Sequence, residues 1–214
     1  MIGIVGGTGP EGIGLALRLA QAGERIIIGS RSNARGRAAA DNIKARLPQA
    51  DVRGAENAQA AREADLIILT VPYEGHKETL ELLRDHIAGK VVVDATVPLV
   101  LERRRVSVLP VDEGSVAQQA QGLLPQARVV AAFQTIPAAA LADLESPIDA
   151  DVVVCGDDPD AKQTAMVLAE KISGVRALDG GGLSNARFLE ETTAIIITIN
   201  RIYKTESSIR FTGI

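Results

Sequence analysis

The 214-residue chain carries 23 Lys and Arg against 27 Asp and Glu, a net charge of −4, with 46% hydrophobic but only 2% aromatic residues and no Trp. That balance supports a sizeable aliphatic core and argues against both a basic surface that tracks nucleic-acid phosphates and an aromatic one that stacks on bases. One cysteine and two histidines rule out an intrachain disulfide and leave too few ligands for a Cys/His zinc site. No metal is therefore expected. No apolar run reaches the ~20 residues of a membrane span, and Met1 leads into an apolar segment without a basic leader. A cytoplasmic protein with no membrane or nucleic-acid partner is expected.

Ile2-Gly3-Ile4-Val5 reads as a strand buried on both faces. The glycine turn Gly6 to Gly12 follows, then an apolar-periodic helix over 13–22. The turn contains G-x-G-x-x-G as Gly7, Gly9 and Gly12, with Thr8, Pro10 and Glu11 between them. In such a turn the first glycine tightens the chain, the second admits a pyrophosphate and the third lets helix and strand pack closely. The helix N-terminus adds free N–H groups and partial positive charge. A second strand, Arg25 to Ile28, ends at Gly29-Ser30-Arg31-Ser32. An NAD site usually has a carboxylate here for the ribose 2′-OH. Ser30 and Arg31, with Arg35 a turn later, instead suit a 2′-phosphate, so NADP(H) is the expected dinucleotide. Arg37 reads as solvated helix surface.

A short strand over 51–54 and a helix over 57–64 precede the apolar strand Asp65 to Pro72. Its end makes Thr70, Val71, Pro72 and Tyr73 candidates for the cofactor wall, because ligands sit at the carboxyl ends of strands in open α/β sheets. His76, at the next helix start, is a proton-handling candidate, whereas His86 reads as a helix cap. A strand from Lys90 to Asp94 leads to Val97 and Pro98. Residues 100–125 are less regular, with Arg103-Arg104-Arg105 read as a solvated loop and a helix near 115–124. Strands over 128–133, 151–155 and 176–179 alternate with a helix to Ile172, and a long helix runs from Ser184 to about Tyr203. Cys155 lies in an apolar run and reads as buried and inert. The alternation predicts an α/β, Rossmann-type doubly wound sheet, mainly parallel. The Gly180–Gly182 joint divides a domain over 1–180 from a helical extension over 181–214, whose apolar face predicts a homodimer.

Several segments together resemble the NADPH-dependent coenzyme F420 reductases: Val5-Gly6-Gly7-Thr8-Gly9-x-x-Gly12, Ile28-Gly29-Ser30-Arg31-Ser32, Leu69-Thr70-Val71-Pro72, Thr135-Ile136-Pro137-Ala138-Ala139, Val154 to Asp158, and Leu183-Ser184-Asn185-Ala186-Arg187. The resemblance spans essentially the whole chain. It implies hydride transfer between NADP(H) and the deazaflavin coenzyme F420. Thr8, Ser30, Arg31 and Arg35 would hold the 2′-phosphate, and Gly9 to Gly12 the pyrophosphate. Val71, Tyr73, Val97 and Ala138 would line the nicotinamide. Val97, Pro98, Gln134, Ile136, Pro137, Ser184 and Asn185 would line the deazaflavin, with Gln134, Ser184 and Asn185 as orienting groups. The family pattern has His where this chain has Gln134, and Trp where it has Tyr73. Two other readings stand beside this one: an NADPH-dependent reductase of a flavin, imine or small carbonyl compound, and a non-enzymatic NADP(H) sensor.

Overall fold

The computed structural model describes residues 1–103 and 105–214. The chain opens with β1 (Ile2–Val5), α1 (Pro10–Gln21), β2 (Ile26–Ser30), α2 (Asn33–Arg46), β3 (Val52–Glu56), α3 (Asn57–Glu63), β4 (Leu66–Leu69), α4 (His76–Leu83) and β5 (Val91–Asp94). A hairpin of β6 (Leu99–Leu101) and β7 (Val106–Val108) follows, then α5 (Val116–Leu123), β8 (Arg128–Ala131), α6 (Ala138–Ala142), β9 (Ala150–Gly156), α7 (Pro159–Glu170), β10 (Val175–Asp179) and α8 (Ala186–Tyr203). Eight strands form one sheet in the order β10-β9-β8-β5-β4-β1-β2-β3. From β3 to β8 the pairs are parallel, and β9 runs antiparallel to β8 with β10 parallel to β9. The doubly wound α/β sheet expected from the sequence is the one observed.

Period-two alternation sorts the core into two layers. Ile4, Ile28, Ile68 and Val93 face α1, α2 and α7 with Leu15, Leu19, Ile43 and Leu168. Val5, Ile67, Leu69 and Val92 face α4, α5 and α8 with Leu80, Leu83, Ala120 and Leu189. Helix starts follow local chemistry. Pro10 occupies the first position of α1, where a missing N–H costs nothing. Asp158 caps α7 by accepting from Ala161 N at 2.8 Å, and Ser115 caps α5 by accepting from Gln118 N at 3.1 Å.

The structure departs from the sequence reading in five places. β4 stops at Leu69, short of Pro72, and β8 stops at Ala131, because Phe133 turns the chain with φ 76°. The irregular stretch holds the β6–β7 hairpin, with Arg103 and Arg105 exposed at its tip; Arg104 lies outside the described residues. The short helix α6 follows Pro137. Finally, the helical extension over 181–214 is helix only to Tyr203. Lys204, at φ 54°, ends α8, and the remaining tail folds back on β9, where Asp151 N donates to Ile209 O at 2.8 Å. The buried Asp151 carboxylate also accepts from Arg176 at 2.8 Å and from Phe211 N at 2.6 Å.

Arg18 ties α1 to the segment after α6. Its side chain is buried, yet its guanidinium donates to the carbonyls of Leu141 at 3.1 Å, Ala140 at 2.8 Å and Ser146 at 2.9 Å, and to that of Asp143. Four carbonyls thus share one cation, and α1 is pinned to the far half of the sheet. Replacement Arg18→Met keeps the apolar stem and removes the donors. It is expected to cost about 2–3 kcal/mol, read as a lower urea midpoint with unchanged slope.

Candidate active site

The glycine loop is shaped by close approach. Gly6, not Gly7, takes the left-handed conformation, with φ 72°, and its amide donates to Asn57 Oδ1 at 3.2 Å. Gly7 N bonds back to Ile4 O at 3.2 Å and Gly29 O at 3.0 Å. A β carbon on Gly12 would lie 2.5 Å from Gly7 Cα and 2.8 Å from Thr70 Oγ1, so helix and loop touch backbone to backbone. A β carbon on Gly9 would meet nothing within 4 Å, so that side of the loop stays open for a ligand.

That open side is one end of a cavity of about 800 Å3 along the carboxyl ends of the parallel strands. Thr8, Gly9, Pro10 and Glu11 line the loop end, with Ser30, Arg31 and Arg35 at the tip of β2. Thr70, Val71 and Pro72 continue the wall after β4, Val97 follows β5, and Gln134 follows β8. The structure therefore brings twelve of the residues singled out in the sequence to one surface. Arg31 and Arg35 are exposed and make no ion pair among the described residues. Ser30 is buried, and its Oγ accepts from Ser32 N at 3.3 Å, fixing the strand tip. Arg37 is exposed and off the cavity.

Other expected site residues lie elsewhere. Gly7 and Gly12 are buried behind the loop, packed on each other. Tyr73 sits in a 3-10 turn, Tyr73–Gly75, and is not part of the lining. Pro98 is buried, its carbonyl accepting from Leu109 N at 2.8 Å across the hairpin base. Ile136 joins the core, Pro137 caps α6, and Ala138 starts that helix beside Gly14 of α1. Ser184 and Asn185 form the turn that opens α8, with Asn185 Nδ2 donating to Gly180 O at 2.8 Å. The part of α8 that reaches the cavity is Thr193, on the order of 12 Å further along the helix at 1.5 Å per residue. Within this chain, Ser184 and Asn185 thus do not meet the ligand surface, because α8 presents its middle to it and not its start.

Several lining residues were invisible in the sequence. Thr193 Oγ1 donates to Gln134 O at 3.0 Å, joining α8 to the end of β8. Gln134 Nε2 donates to Asp94 O at 2.8 Å. Thr96 N donates to Asp94 Oδ1 at 3.0 Å, and Asp94 Oδ2 lies 2.8 Å from His76 Nε2. His76 is thus fully buried behind the wall and not open to the cavity. Glu190, also buried, accepts from Val116 N at 3.0 Å at the start of α5, and burial pushes its pKa up to about 7. The one sequence signal for Thr193 is that it closes the polar run Glu190-Glu191-Thr192-Thr193 before the apolar stretch from Ala194 to Ile197.

Comparison with known proteins settles the family. A family model for coenzyme F420-dependent NADP oxidoreductases matches residues 1–98. The F420-dependent NADP reductase of Methanocaldococcus jannaschii is 42% identical over 220 residues, covering 100% of this chain and 98% of that one. The chain belongs to the F420-dependent NADP reductase family. A second family member, from Methanothermobacter marburgensis, is 45% identical over 93% of this chain and 92% of its own. A solved structure assigned as an F420-dependent NADP reductase, from Arthrobacter sp. FB24, superposes with a TM-score of 0.81 at 27% identity over 98% of this chain and 99% of that one.

Glu11 lies in the first turn of α1, at the loop end of the cavity. Its Oε1 is buried without a hydrogen-bond partner among the described residues, and burial pushes its pKa up to about 8. A carboxyl whose folded pKa is raised costs stability as it ionises, so the cost begins above the ordinary value near 4.5 and is complete above about 8. Glu11→Gln is expected to be more stable than the wild type at pH 9 by about 1–2 kcal/mol and nearly equal to it at pH 4. Urea unfolding at both pH values checks the sign.

Proposed function

We propose that this chain passes hydride between NADP(H) and coenzyme F420, with the dinucleotide lying from Arg31 to Val97 along the cavity and the deazaflavin beside Val97, Gln134 and Thr193. The observation that carries this reading is the continuous cavity in a chain of this family. It joins an open glycine loop and two unpaired arginines to a wall that holds no catalytic dyad among the described residues. The chemistry belongs to the two ring systems, which exchange hydride directly when both are bound.

The protein's part is placement. Free N–H groups at the start of α1 face the diphosphate, and Arg31 and Arg35 supply charge-assisted bonds to the 2′-phosphate. Val71 and Val97 give the nicotinamide an apolar wall, and Ala95 and Phe133 help to keep water from it. Gln134 is held by Asp94 O through one amide proton. Its remaining amide atoms face the cavity, where they can orient ring carbonyl and N–H groups. The carboxyl side chains that line the cavity, Glu11, Glu74 and Glu78, belong to α1 and to the turn and helix after β4 and not to the Gln134 wall, so in this reading the acceptor's ring proton comes from solvent.

The reading includes a cytoplasmic homodimer. No described helix is long and apolar enough to cross a membrane. Phe188, Ile195, Ile199 and Ile202 form an exposed apolar stripe on the outer side of α8, which a second copy would cover. Dividing the chain near residue 180, directly after β10, also belongs to this proposal.

Purified protein with NADPH and oxidised F420 is expected to bleach the deazaflavin absorbance, whereas a flavin or carbonyl acceptor is expected to react far more slowly. No bleaching at high enzyme concentration overturns the assignment. Arg31→Ala is expected to weaken NADPH binding by about 1.5–3 kcal/mol while leaving NADH binding nearly constant. Equal losses for both cofactors would refute the phosphate contact. Sedimentation should show a dimer that Ile195→Glu converts to monomer; a wild-type monomer counts against the α8 interface.

A further inference from the structure

Three ionisable side chains are fully enclosed behind the ligand wall: His76 on α4, Asp94 at the end of β5 and Glu190 on α8. None faces the cavity, yet Asp94 is one hydrogen bond and His76 two from residues that line it. Asp94 accepts His76 Nε2 at 2.8 Å through Oδ2 and Thr96 N at 3.0 Å through Oδ1, while its backbone carbonyl accepts Gln134 Nε2 at 2.8 Å. Thr96 and Gln134 both line the cavity. One residue therefore sets both flanks of the ring platform. The only side chain bonded to its carboxylate among the described residues is the His76 imidazole. Glu190 is tied to α5 through Val116 N at 3.0 Å, and Thr193, one turn along the same helix, bonds Gln134 O at 3.0 Å.

We propose that His76 is a positioning residue for hydride transfer: through its Nε2 it fixes Asp94, and through Asp94 it fixes Thr96 and Gln134 against the ring pair. The proposal rests on the reductase reading above and names what sets its geometry. Burial disfavours the imidazolium, but the Asp94 carboxylate and, more distantly, Glu190 outweigh it, so the His76 pKa lies above its ordinary value. Asp94 from β5 and Glu190 from α8 are the charged groups that face His76. Among the described residues α5 contributes none, and Lys77, Glu78 and Glu81 on its own helix are exposed. The bond itself needs no imidazolium: a neutral ring with its hydrogen on Nε2 also donates to Asp94, and Nδ1 is buried without a partner among the described residues. Separations of an ångström between reacting rings matter greatly to rate.

The test is hydride transfer in both directions for wild type, His76→Gln and His76→Leu. His76→Gln keeps a donor for Asp94, so its forward and reverse kcat should stay within about twofold of the wild type. His76→Leu should lose about 10-fold in kcat in both directions while the KM for NADPH moves less than about twofold. A His76→Gln variant as slow as His76→Leu overturns the proposal, as does a His76→Leu variant with lowered thermal stability but wild-type kcat. If the wild type turns over no F420, the functional reading fails separately. The emission of bound NADPH then decides the positioning role, in a chain free of Trp. An emission changed in His76→Leu and restored in His76→Gln supports it, and an emission identical in all three proteins overturns it.

Discussion

A β carbon on Gly12 would intrude to 2.5 Å from Gly7 Cα and 2.8 Å from Thr70 Oγ1. The three chain segments meeting there are the glycine loop, the start of α1 and the end of β4. Because backbone touches backbone, the helix N-terminus lies directly over the strand ends, and its unbonded amides open onto the cavity. The rest of this end of the cavity is placed relative to that contact. Thr70 bonds Val5 O at 3.2 Å, and Gly7 N reaches across to Gly29 O at 3.0 Å, which locks the end of β1 to β2 and so to Ser30 and Arg31. A methyl group at Gly12 would push apart elements that share no slack.

The far half of the site is built on polar groups where the near half is built on glycine. Asp94, Gln134 and Thr193 come from β5, the end of β8 and α8, and they are joined by short hydrogen bonds in an otherwise aliphatic interior. Buried polar groups need partners, and here the partners are one another. Leaving one of them without its mate would cost more than the bond itself contributes. The arrangement specifies where α8 crosses the strand ends, which an apolar stripe alone would leave free to slide.

Local signals in the chain announced the glycine-loop half of the cavity. Uninterrupted β-branched runs such as Ile26-Ile27-Ile28 and Val91-Val92-Val93 can only be strands covered on both faces, and the glycines between strand and helix have few structural alternatives. Ser30 and Arg31 were informative because their position relative to the loop is set by the βαβ unit itself. The acceptor half was far less legible. The Thr193–Gln134 bond joins residues 59 apart and the Glu190–Val116 bond residues 74 apart, and no periodicity encodes such a pairing. Ser184 and Asn185 illustrate the difficulty. Helix α8 was readable, but which of its turns would meet the cavity depended on β9 running antiparallel, a matter of tertiary packing. The β6–β7 hairpin escaped notice because three-residue strands flanked by arginines carry almost no pattern. The left-handed Phe133, which ends β8 early, goes against the steric preference of its residue type.

Arg18 carries one more implication. It clamps α1, whose start carries the glycine loop, onto carbonyls of the segment that follows β8. Enzymes that close around two ligands usually do so at a hinge between the parts that bind each. Here a buried cation with four carbonyl partners spans that division, so opening it would strand charge and carbonyls together. The clamp leaves outside it the cavity's edge, with Arg31 and Arg35 on one side and Leu99 at the base of the β6–β7 hairpin on the other. A rigid floor suits a reaction whose two reactants are both flat, preformed ring systems that need stacking more than enclosure.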